Sequence, residues 1–137
     1  MAYPLTAPQS PAECEKEDYE DVEFWTIGQW NEHKSAEPDC GKLDFLTDDS
    51  GSKVGKGRLK EMSTEASILF NELYRHRHDP STWSTRTAVA STFFSNTMRQ
   101  KFPEFQWCEG DWKVHMFATV RYPSWVADNR DKGRLQR

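Results

Sequence analysis

Residues 63–78 read STEASILFNELYRHRH, and this stretch decides the fold. Ala66, Leu69, Phe70, Leu73 and Tyr74 fall at i, i+3, i+4, i+7 and i+8, which lays one apolar stripe along a helix. Ser63 or Thr64 can cap its start. Pro80 discourages helix at Asp79, so the helix is expected to end near His78. Arg75, His76 and Arg77 then sit at the negative end of its dipole.

Toward the C-terminus, the spacing predicts a second helix over 82–102, capped by Ser81, Thr82 or Ser84. Ala90, Phe94, Met98 and Phe102 recur every fourth residue, Val89 and Phe93 widen the stripe, and Pro103 ends it. Ser91, Thr92, Ser95 and Thr97 lower its intrinsic helicity, so packing must hold it. Asp111 is a good cap for a third helix over 111–121 bearing Trp112, Met116, Phe117 and Val120. Tyr122-Pro123 is expected to break it, and Ser124 to open a short fourth piece with Trp125 and Val126. No internal repeat and no strong period-two run is present. The expected fold is therefore all-α: a small three- to four-helix domain over 58–128, with a charged tail at 129–137.

Toward the N-terminus the pattern loosens. Residues 34–57 carry Pro38, Gly41, Asp48, Asp49, Gly51, Gly55 and Gly57 and read as a linker, interrupted by Leu43, Phe45 and Leu46. Residues 19–33 set Tyr19, Val22, Phe24, Trp25, Ile27 and Trp30 among acids, with room for a short helix that Gly28 weakens. Residues 1–18 combine Pro4, Pro8 and Pro11 with Glu13, Glu15, Glu17 and Asp18, too little apolar surface to offset ordering entropy. Residues 1–57 are accordingly expected to be an acidic arm and Gly-rich linker, largely disordered, preceding the domain.

Charge follows the same division. Residues 1–50 hold three basic and thirteen acidic side chains, and residues 51–137 hold fifteen against nine, so −10 faces +6. Such asymmetry points to a polyanion or an acidic protein surface as partner. Three widely spaced cysteines (Cys14, Cys40, Cys108) are a poor disulfide framework and fit reduced thiols in the nucleus or cytoplasm. A secreted chain whose signal had been removed would look the same. No apolar run reaches the ~18 residues a membrane span needs, so no membrane partner is expected.

Candidate chemistry is sparse. His76, His78, Cys108 and His115 lack the paired spacing of a zinc site and fit helix-end histidines and a structural thiol better; no metal and no cofactor is expected. Cys108 just before a helix start, with His115 as base and Glu109 or Asp111 as orienter, would make a small Cys-dependent enzyme. No phosphate loop or metalloprotease motif accompanies it, and no catalytic residue is assigned. Lys53, Lys56, Arg58 and Lys60 form a basic run, joined by Lys113 and Arg121, and these six are the candidates for phosphate contact. Phe24, Trp25 and Trp30 are candidates for a protein partner of residues 19–30; bulky rings among acids suit equally a stretch that docks back on the basic domain and masks it, or one that completes the core.

Phe102-Pro103-Glu104-Phe105, Cys108, Asp111-Trp112-Lys113, Ala118-Thr119 and Tyr122-Pro123-Ser124-Trp125 stand in an order that resembles a pattern in uncharacterised small proteins and protein regions of basidiomycete fungi. The resemblance spans 81–127 and implies a small helical domain with these Trp and Tyr residues in its core. It carries over no catalytic or ligand residue. The expected function is a non-enzymatic regulatory binding module, nucleic-acid-associated through its basic domain. The alternatives are a protein-interaction or scaffold module, a secreted effector among them, and lastly the cysteine enzyme.

Overall fold

The computed structural model describes residues 5–131, and its regular elements are helices: α1 (Ile27–Ala36), α2 (Lys56–Arg75), α3 (Ala88–Lys101) and α4 (Trp112–Asp131). A short 3-10 turn at Lys16–Tyr19 precedes α1, and two more, Trp83–Thr85 and Pro103–Gln106, link α2 to α3 and α3 to α4. The described residues hold no β-strand, only one isolated antiparallel bridge between Thr47 and Lys53. No helix among them is long and apolar enough to cross a membrane.

The stripe on residues 66–74 does organise the core, since Met62, Ala66, Leu69, Phe70 and Leu73 are the buried face of α2. Helices α2, α3 and α4 pack pairwise around it. Phe70 is the hub: its ring lies 5.1 Å from Phe94, 4.9 Å from Tyr122, 5.7 Å from Trp83 and 5.9 Å from Trp125, mostly edge-on or tilted as ring quadrupoles prefer.

Three boundaries differ from expectation. Helix α2 begins at Lys56, not Ser63, because Met62 extends the apolar stripe one turn back and is buried. Helix α3 begins at Ala88, where the Thr87 hydroxyl accepts the Ala90 N–H at 3.1 Å. The residues expected to open it form the 3-10 turn that drives Trp83 into the core. Helix α4 runs on through Pro123. A proline inside a helix costs ~3 kcal/mol, and burying Tyr122 and Trp125 on either side of it returns ~1.5–3 kcal/mol each.

The larger difference lies in the N-terminal half. Trp30, Phe45 and Leu46 are buried in the same core as the helices rather than belonging to a disordered arm. Their rings form a chain, Trp30 to Phe45 at 5.4 Å and Phe45 to Trp112 at 5.5 Å. Acidic composition hid this because the apolar residues are few; each, however, is large and inserts fully. Farther upstream the chain runs along α3, where the Asn96 amide donates to the Pro8 carbonyl at 2.9 Å and Gln100 to that of Gln9. Residues 1–4 of the expected arm and 132–137 of the expected tail lie outside the described residues; Asn129 belongs to α4 and is buried.

Candidate functional site

The six cations expected to meet phosphate have unlike settings. Lys113 is 1% exposed, which withdraws it from any phosphate contact. Its ammonium donates to the Glu23 carbonyl at 3.2 Å, and burial holds its pKa down at about 8. Arg58 lies over the Phe102 ring, donates from Nε and Nη2 to the Glu104 carboxylate at 2.7 and 3.0 Å, and from Nη1 to Glu61 at 3.2 Å. Lys53 pairs with Asp44 at 3.1 Å. Arg121 is half-buried beside Phe117, with its Nε enclosed and without a partner. Lys56 and Lys60 stand exposed on the first two turns of α2.

The aromatic candidates are mostly interior. Trp25 is buried and Trp30 is 1% exposed, so neither can meet a partner in the folded chain. Their segment is fastened to the start of α4 and the turn before it: the Trp25 carbonyl accepts the Glu109 N–H at 2.8 Å and the Trp112 indole N–H at 3.1 Å. Phe24 alone stays half-exposed, at φ 61°, a left-handed backbone that an aromatic residue rarely adopts. Its ring stands edge-on to Trp30 at 5.2 Å and tilted to His33 at 5.0 Å.

Phe24 and His33 open onto a groove of about 530 Å³. Four carboxylates line it, Glu23, Glu37, Asp39 and Asp44, against one ammonium, Lys53. Its wall includes a small turn. The Asp48 carboxylate accepts the Ser50 hydroxyl at 2.7 Å and the N–H groups of Ser52 at 3.0 Å and Ser50 at 2.9 Å, which holds its pKa below the ordinary value. Gly51 closes that turn at φ +89°, and a Cβ there would lie 2.3 Å from the Asp21 carbonyl oxygen. Thr47 lines the groove as well: it is 2% exposed and its hydroxyl has no hydrogen-bond partner. Buried hydroxyls are normally satisfied by protein or by ordered water, and this one leaves its donor and acceptor capacity open. Glu37, Asp39, Asp44 and Thr47 fall in the stretch whose glycines and proline read as linker. The readable signal was the Asp48-Asp49-Ser50-Gly51-Ser52 turn chemistry between buried Leu46 and half-buried Val54.

A second polar cluster joins α3 to α4. The Trp83 indole N–H donates to His115 Nδ1 at 3.2 Å, so Nε2 carries the ring proton and donates to Asp111 at 3.0 Å. That bond is the first cause of the Asp111 pKa falling to about 2. Ser91 Oγ lies 3.4 Å from the same Nε2. A Ser-His-Asp relay needs hydroxyl and carboxylate on opposite nitrogens; here both share one, and the other is blocked. Nor does the ring turn to Cys108, whose thiol is 0% exposed, donates to the Phe105 and Gly110 carbonyls at 3.6 Å, and is pushed up in pKa by burial. Among the described residues no three His, Cys, Asp or Glu side chains gather as a metal set, so His76, His78, Cys108 and His115 are not assembled as ligands.

Comparison with protein-family models, with curated proteins and with solved structures found no match.

Proposed function

We propose that this chain is a non-enzymatic, regulatory interaction module that receives a cationic partner in the groove walled by residues 23–53. The observation that carries the reading is a buried, unpartnered Thr47 hydroxyl inside a cleft where carboxylates outnumber ammonium groups four to one. Carboxylates gathered in one cleft raise the local concentration of a ligand of opposite charge. The half-exposed Phe24 ring adds a face for the same cation.

Polyanion binding is the second reading, favoured by Lys56 and Lys60, exposed one turn apart on α2. A nuclear or cytoplasmic setting belongs to this proposal. Fluorescence anisotropy separates the two. A labelled tetralysine peptide should bind the full chain and lose about tenfold in affinity with Asp44→Asn, in line with a charge-assisted contact. A labelled oligonucleotide should stay free at the same ionic strength. Tight oligonucleotide binding that weakens steeply with salt, together with a free peptide, would overturn the proposal in favour of the second reading.

A further inference from the structure

Lys53 and Thr47 oppose each other across the isolated bridge. The Asp48 N–H donates to the Ser52 carbonyl at 2.8 Å and the Val54 N–H to that of Leu46 at 3.1 Å, so the two residues form the pair that exchanges no backbone bond. In that arrangement side chains come closest and share a face. The Thr47 hydroxyl nevertheless has no partner, and the Lys53 ammonium pairs with Asp44 at 3.1 Å instead. Lys53 is 69% exposed, so solvent screens the pair and an incoming cation can replace it.

We infer that Lys53 is an internal stand-in for the groove's ligand, and that the ligand is a lysine side chain of a partner peptide. The inference rests on the groove being the binding site. The resident cation is itself an ammonium: Lys53 Nζ donates to Asp44 Oδ2, the oxygen that also accepts the Gly41 N–H at 2.8 Å. A ligand that displaces Lys53 at that oxygen is most simply another ammonium, a compact point charge that needs no two-oxygen fork. An ammonium has three donors at wide angles, enough for Asp44 on one side and Thr47 on another. Phe24 and His33 flank the path that its aliphatic stem would take. The volume, about 530 Å³, exceeds one side chain and leaves room for the neighbouring peptide.

The test titrates the full chain with labelled tetralysine at about 0.1 M salt, where exposed charges more than ~10 Å apart are screened. Lys53→Gln should tighten binding about threefold by freeing Asp44. Lys42→Gln, the same charge change at an exposed residue outside the groove, should leave affinity as it was. Thr47→Val should weaken binding about fivefold, consistent with one lost hydrogen bond, while the melting temperature holds or rises; Thr47→Ser should restore affinity. If neither wild type nor Lys53→Gln binds, the groove reading falls and this inference with it. Binding that Lys53→Gln tightens no more than Lys42→Gln overturns the stand-in and leaves the groove standing. Tetraarginine binding as tightly as tetralysine overturns the choice of ammonium. Spermidine displacing the peptide at equal concentration points to a free polyamine and overturns the peptide.

Discussion

Lys113 adds one bond, from its ammonium to the Glu23 carbonyl, to those that hold the N-terminal half of the chain to α4. The cost of burying that charge sets a pH dependence. The folded pKa, about 8, lies below the ordinary 10.5, so between these values the unfolded chain binds more protons than the folded one. Stability should therefore rise as pH goes from about 8 to about 10.5, by up to ~3 kcal/mol, and Lys113→Met should abolish the rise in urea melts. The Cys108 thiol, pushed up by burial, contributes with the opposite sign over part of this range, so the wild type is compared with Lys113→Met; profiles that do not differ would show that the ammonium is solvated after all. Gly51 supports a second prediction. Its positive φ and the Asp21 carbonyl behind it leave no space for Cβ, and both are backbone, so nothing can swing away. Gly51→Ala should cost ~1–3 kcal/mol in a thermal melt and remove cation binding; an unchanged melt would contradict the turn as described. Residue types alone could show neither. A lysine count does not distinguish an exposed ammonium from one sealed under Trp112 and the 23–25 segment.

At the scale of elements, periodicity was a good guide to existence and a poor one to ends. The stripes of α2, α3 and the first half of α4 were readable because each repeats at helical spacing. What was unreadable is where tertiary burial outweighs a local breaker: Pro123 inside α4, and Gly57 in the first turn of α2. The C-terminus of α2 is instructive. The His78 N–H donates to the Leu73 carbonyl at 2.8 Å and the Arg77 N–H to that of Tyr74 at 3.1 Å, the paired closure of a left-handed helix cap. Glycine usually fills that position; here Arg77 does, at φ 60°. Arg77→Gly should stabilise the protein by about 1 kcal/mol in chemical denaturation, and a loss of stability would mean the arginine side chain makes a compensating contact.

Across the whole molecule, the apparent division into acidic arm and basic domain dissolves in one core. Trp30, Phe45 and Leu46 from the first fifty residues pack with Trp112 and its neighbours, so the helices need them. A chain beginning at residue 55 should melt without cooperativity and bind a hydrophobic dye; a sharp transition near the wild-type temperature would show that the helices stand alone. Composition could not reveal this, because three large buried side chains suffice to anchor a segment that is otherwise charged. The site was hidden by the same segment, read as linker from its glycines.

Every wall of the groove, from Glu23 to Lys53, comes from one uninterrupted stretch of about thirty residues, while the helical scaffold is encoded almost entirely downstream. A short piece of gene therefore carries the cleft as a cassette, open to drift in ligand preference under few constraints beyond those of its anchoring rings.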